Sequence, residues 1–212
     1  MNRLTDPLNP DSRPNREVRA VFNENTIRVY QAYSQEIAEP ALKAQKFLPP
    51  FKKSRMTWIK PSFTWMMYRS GWAEKPGQEY ILGIDILRTG FDWALANSCL
   101  SHYDASVHSS HSHWETMLRD SPVRIQWDPE RSIRLQPLPW RAIQIGLGPQ
   151  AVGAYVEEWI THIEDLTPHA KRIEALVRKG DLNVARALLP LETNYALSKE
   201  VMCRIGGSSD AL

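Results

Sequence analysis

Val123-Arg124-Ile125-Gln126-Trp127 and Ala142-Ile143-Gln144-Ile145-Gly146 are the two stretches whose reading decides the fold. Each alternates side chains with the period of two that sends successive residues to opposite faces of a sheet, and each carries β-branched residues. The Pro137/Pro139 region between them reads as the turn, so an antiparallel hairpin is the simplest pairing. Three more strands lie upstream: Thr26 to Tyr33, Met56 to Lys60 (ended by Pro61), and Glu79 to Leu87. Residues 35–46 read as a helix stopped at Pro49-Pro50. Phe63 to Arg69 reads as a helix with Ser62 as its N-cap and Gly71 at its end.

Further along, a helix is expected over Phe91 to Leu100, a loop over 101–113, and a helical turn or more over Trp114 to Arg119. From Gln150 the period becomes helical, with Val152, Tyr155, Val156, Trp159, Ile160 and Ile163 on one face. A second helix there ends at Gly180, and Asp181 caps a third carrying Leu182 and Ala185. Strands come first and helices last. That order predicts an α+β fold, with a mainly antiparallel sheet of about five strands, packed helices and a helical C-terminal part over 150–200. Pro7, Pro10 and Pro14 mark residues 1–17 as a loosely held arm. Residues 18–205 form the expected single domain, and 206–212 a tail.

The 212 residues, 42% hydrophobic and 24% charged, exclude wholesale disorder and suit one core. The two cysteines, Cys99 and Cys203, exclude a disulfide framework and a four-ligand zinc site. No stretch approaches the roughly 18 apolar residues of a membrane span, and the N-terminus shows no signal-peptide core. A cytoplasmic protein with no membrane partner is expected. A net charge of +2 is too mild to name a nucleic-acid partner, so its distribution must decide.

Between Glu39 and Glu74 there is no carboxylate, yet Lys43, Lys46, Lys52, Lys53, Arg55, Lys60 and Arg69 fall there. Phe51, Trp58, Trp65 and Tyr68 are interleaved with them, the composition of a surface that neutralises phosphates and stacks on bases. A solvated basic loop over ordinary core aromatics has the same composition. Lys60 stands at a strand end and Ser62 at a helix start, where backbone amides favour anions. Ser62 is equally explained as a plain N-cap, since no His or Asp is adjacent to activate it.

Asp128-Pro129-Glu130-Arg131 ends a strand with two carboxylates, which suit a general base or a receptor for a guanidinium. A local salt bridge to Arg131 is the other reading. Gln126 and Gln144 are polar side chains on otherwise apolar strands, and pairing would point both amides into one space, satisfied by Arg28 and Tyr30 or by a ligand. His102, His108, His111 and His113 do not have the spacing of a known zinc site, so no metal is expected.

Arg28 to Tyr33, Met56 to Trp72, Gln126 to Arg131 and Arg141 to Leu147 resemble the family classified as the domain of unknown function numbered 4291, over about Arg16 to Tyr195. The resemblance implies a relation to fungal arginine-containing cyclodipeptide synthases, which take amino acids from arginyl-tRNA and a second charged tRNA and close them into a diketopiperazine. On that resemblance Ser62 or a neighbour accepts or positions the first aminoacyl group, and Lys60 and Arg69 bind phosphate or the ester carbonyl. Asp128 and Glu130 hold guanidinium or move the amine proton. Arg28, Tyr30, Trp58, Trp65, Gln126, Arg131, Arg141 and Gln144 complete the substrate site, and Lys52, Lys53 and Arg55 meet the tRNA. No cofactor is implied. An NAD-using enzyme resembling ADP-ribosyltransferases and a non-catalytic RNA-binding module are the competing expectations. The mechanism requires the Lys60/Ser62 corner and the Asp128/Glu130 corner to open onto one cavity.

Overall fold

The computed structural model describes residues 13–208. Its strands are β1 (Arg19–Ala20), β2 (Thr26–Tyr33), β3 (Thr57–Ile59), β4 (Tyr80–Leu87), β5 (Ser98–Leu100), β6 (Val123–Arg131), β7 (Pro137–Leu147), β8 (Ile160–Asp165) and β9 (Thr193–Asn194). Its α-helices are α1 (Gln35–Ala44), α2 (Phe63–Ser70), α3 (Arg88–Ala96), α4 (His111–Asp120), α5 (Pro149–Ala154), α6 (Thr167–Lys179), α7 (Leu182–Ala187) and α8 (Lys199–Arg204). The class is α+β and the pairing mainly antiparallel, with β5 parallel to β6.

Two sheets matter for the site. One has the order β3-β7-β6-β5 and the other β2-β4-β8. They meet where the Tyr30 N–H donates to the Lys60 carbonyl at 2.7 Å, just before Pro61, which has no N–H to continue a ladder. The β6–β7 hairpin sets Gln126 directly opposite Gln144. One apolar core runs from Ile27 and Val29 through Ile84, Ile125 and Ile145, and a second gathers Tyr30, Phe63, Met67 and Ile173. Ser62 caps α2, accepting from the Trp65 N–H at 3.2 Å, and Gly71 closes that helix at φ 61°.

Several boundaries differ from expectation. The helix expected to reach Leu100 ends at Ala96, because the fully buried Ser98-Cys99-Leu100 gains a ladder by joining the edge of β6. The C-terminal part is not wholly helical. After α5 a π turn over Tyr155–Trp159 carries Trp159 against Gly90, and the β-branched Ile160, Thr161 and Ile163 then extend as β8 along β4. A Cβ on Gly90 would lie 2.4 Å from the Trp159 ring, so only glycine lets the indole seat there. The hairpin turns at 132–136, with Leu135 at φ 61°, and the two prolines open β7 instead. α4 begins at His111 rather than near Trp114, because Ser110 caps it from the His113 N–H at 3.1 Å.

Of the expected arm, residues 1–12 lie outside the described residues, whereas 13–17 are bonded into the domain. The Arg141 N–H donates to the Asn15 carbonyl, and Arg16 reaches Asp104 and the Gly206 carbonyl. Likewise Ser208 of the expected tail donates its N–H to the Arg16 carbonyl at 2.9 Å, while residues 209–212 lie outside the described ones. Among the described residues no helix is long and apolar enough to cross a membrane.

Candidate functional site

A cleft of about 750 Å³ opens where the two sheets meet. β2 contributes Gln31 and Tyr33 to its wall, β3 contributes Thr57 and Trp58, and Lys60 follows. α2 adds Trp65, Met66 and Arg69, the 50–56 segment adds Phe51, Lys52 and Arg55, and the β6–β7 hairpin supplies Gln126 and Gln144. The acid-free stretch of sequence thus folds into one wall, for a local reason. The segment leaves α1, forms β3, turns at Pro61 and returns as α2, so both of its arms face the same hollow. Among the described lining residues none is a carboxylate.

Lys60 is the chemically singular group. It is buried, and its ammonium lies 4.8 Å from the centroid of the Trp65 ring. No carboxylate among the described residues is within ion-pairing distance of it. Burial, and then the Arg69 charge, push its pKa down to about 8, against the pull of Asp128. An amine titrating there is neutral in an appreciable fraction of molecules near physiological pH, and that neutral form accepts a proton.

Asp128, which is not itself a lining residue, accepts from the amide of the cleft-lining Gln144 at 2.5 Å. Burial holds its pKa above the usual carboxylate range, opposed by Lys60, Gln144 and two arginines. The paired amides expected from the hairpin therefore share a space that also holds Lys60, and Asp128 anchors one of them.

The expected single cavity is divided. Ser62 donates to Glu130 at 2.9 Å and points into a separate small hollow lined by Arg13, Glu17, Arg19, Glu130 and Arg141. Glu130 also accepts from Thr64 at 3.2 Å and from the Arg131 N–H at 2.7 Å, and burial raises its pKa. Glu192 completes the cluster. Part of this residue is exposed, but its carboxyl turns inward to accept from the Phe63 N–H at 2.7 Å. Burial, and then the neighbouring Glu130, raise it to about 8. Ser62 and Glu130 cap and brace α2 from behind, while Lys60 lines the cleft and Asp128 is joined to it through Gln144.

The remaining expected residues disperse. Arg28 binds Asp85 through two nitrogens, at 2.8 and 2.7 Å, and Glu164 at 2.9 Å, a commitment that raises its pKa further. Tyr30 is core, packed edge-on against Phe63 at 5.5 Å with its hydroxyl unpartnered. The Arg131 guanidinium covers the Tyr68 ring at 3.5 Å, and Arg141 donates to the Trp127 carbonyl at 3.1 Å. Lys53 joins Lys46 on Glu157, leaving Lys52 and Arg55 of the basic cluster on the cleft. His108 is buried near Cys99, and no His/Cys/Asp/Glu group suited to a metal occurs among the described residues.

A polar network at the cleft floor escaped the sequence reading. Gln31 donates to the Tyr33 hydroxyl, the Thr57 hydroxyl and the Trp58 carbonyl at 2.9–3.0 Å, and accepts from the Tyr155 hydroxyl at 2.7 Å. One signal was present, since Gln31 falls in phase with the buried Ile27 and Val29 of β2. Tyr155 and Glu192 gave none, because the partners that define them are more than a hundred residues away in the chain.

The family model described as a domain of unknown function, DUF4291, matches residues 17–195. No curated protein and no solved structure matches the chain.

Proposed function

The chain belongs to the DUF4291 family, and from that premise we propose that its cleft receives the aminoacyl end of charged tRNA and joins arginine to a second amino acid as a cyclic dipeptide. The observation that carries this reading is Lys60, a buried amine beside Arg69, Trp65 and two strand amides in a cleft whose described lining lacks carboxylates. Lys52 and Arg55 suit phosphates of the RNA, and Phe51, Trp58 and Trp65 suit a base or ribose face.

The α-amine of one aminoacyl group attacks the ester carbonyl of the other. The first amide C–N bond forms as that ester C–O bond breaks, and the amine proton ends on the departing ribose oxygen. The free α-amine of the resulting dipeptidyl ester then attacks the remaining ester carbonyl, closing the ring as the second ester C–O bond breaks and its ribose oxygen takes the second proton. Neutral Lys60 is suited to take that proton and return it, while the cleft supplies mainly positioning. Asp128 lies outside the described lining and is joined to it by Gln144, so a guanidinium is received at that amide with the Asp128 charge behind it, and Glu130 is engaged behind α2. An acyl-enzyme on Ser62 is not part of this scheme, because its hydroxyl is already spent on Glu130 and the Trp65 N–H.

Incubation with arginyl-tRNA and a second charged tRNA, followed by mass spectrometry, tests the reading. A cyclic product containing arginine is expected, and its absence with both tRNAs intact refutes the chemistry. The same cleft composition also favours a non-catalytic RNA-binding module. In that case RNA affinity remains in Lys60→Met with no turnover to lose.

A further inference from the structure

Gln126 lines not only the cleft but also a second hollow of about 180 Å³, walled by His102, Tyr103, Ile125 and Trp127. The hollow follows from unequal strand lengths. β5 stops at Leu100 while β6 runs on to Arg131, so beyond the bond from the Ser101 N–H to the Ile125 carbonyl the ladder between them ends. The segment that follows presents Tyr103 to solvent, 39% exposed, with its ring steadied by His111 at 5.3 Å and His108 at 6.0 Å. Asp104, held down to about 2 first by Ser106, is already paired with Arg16 at 2.9 Å.

We propose that this hollow is a second nucleobase subsite, which stacks one base of a single-stranded RNA end on Tyr103 while the terminal nucleotide occupies the cleft. The proposal rests on reading the cleft as a site for an RNA end, and does not depend on the acyl-transfer chemistry. The volume is that of roughly six liquid waters at about 30 Å³ each, room for one flat heterocycle and far too small for a protein interface. Its lining holds the rings of His102, Tyr103 and Trp127 and one mutually paired couple, Arg16 and Asp104, whereas Lys52, Arg55, Lys60 and Arg69 line the cleft, a division that assigns phosphates to the cleft and a base face to the hollow. Aromatic stacking tolerates any base, and Gln126 lines both hollows, so they adjoin along β6.

Binding of uncharged, end-labelled RNA oligonucleotides to the full chain, followed by fluorescence anisotropy, tests this with a dinucleotide and a hexanucleotide sharing one 3′ end. The wild type is expected to bind the hexanucleotide more tightly. Tyr103→Ala should weaken hexanucleotide binding roughly tenfold and leave the dinucleotide unchanged, as loss of one stacked base requires. Tyr103→Phe, which keeps the ring, should retain wild-type affinity for both. Equal affinity of the wild type for both lengths, or a Tyr103→Ala variant that binds both as the wild type does or weakens both alike, overturns the subsite. Failure of the wild type to bind either RNA overturns the cleft reading together with it. Length-dependent binding without any cyclic product leaves the subsite standing and removes only the chemistry.

Discussion

Replacing Lys60 with methionine probes the central physical argument without any substrate. The fall of the amine from its ordinary 10.5 to about 8 corresponds to about 3 kcal/mol, at roughly 1.4 kcal/mol for each tenfold change. That is the cost of holding the ammonium in the cleft wall. A lysine whose folded-state pKa is depressed carries this cost in full below about 8, where it is charged in both states. The cost is relieved as pH rises from about 8 to 10.5, where the unfolded chain binds the additional proton. Methionine follows the same path over Trp65 with no charge to desolvate. Setting about 1 kcal/mol of lost cation–π attraction against the gain, Lys60→Met should be more stable by about 2 kcal/mol at pH 7. Urea unfolding at pH 7 and at pH 10.5 measures this. The advantage should shrink towards zero at the higher pH, provided both proteins still unfold cooperatively. A variant no more stable than the wild type at pH 7, or equally more stable at both values, refutes the claim that burial depresses Lys60.

Glu192 predicts the opposite slope. Its carboxyl is raised from 4.5 to about 8, so the folded state keeps a proton that the unfolded chain has released, and stability falls as pH rises through that window. Glu192→Gln, which retains an acceptor for the Phe63 N–H, should flatten this fall in denaturant titrations at pH 5 and pH 8.5. Gln31→Leu strips four hydrogen bonds from the cleft floor and leaves the Tyr155 and Thr57 hydroxyls without the amide. It should cost about 2–4 kcal/mol, read as a lowered Tm, and a loss below about 1 kcal/mol argues against the network. Arg69→Ala removes a like charge that depresses Lys60, so the midpoint for amine labelling at Lys60, followed site by site by mass spectrometry, should move upward. The same variant should lower the salt dependence of RNA binding by about one counterion.

Much of the local architecture was legible in sequence, because short-range rules govern it. The alternation around Gln126 and Gln144 gave the hairpin though not its turn, Ser62 and Gly71 gave both ends of α2, and Gly180 at φ 87° ended α6. The run from Glu39 to Glu74 without carboxylates identified the wall of the cleft, since charge composition is a property of the chain before it folds. The change from helix to strand after Trp159 was less legible, because the space that seats Trp159 is left by Gly90, some seventy residues earlier, and β8 pairs with β4, equally distant in the chain.

The sequence by itself therefore determined the α+β class, the main strands and helices, and the basic, aromatic character of the segment that lines the cleft. Only the tertiary structure decided which polar side chains share a space. Lys60 and Ser62 are two residues apart, yet the strand end and helix cap between them send one side chain into the cleft and the other behind α2. Asp128 and Glu130 part in the same way, across the irregular register between Pro129 and Arg131. Direction and burial at those positions depend on partners distant in the chain, and burial is what lowers the proton affinity of Lys60.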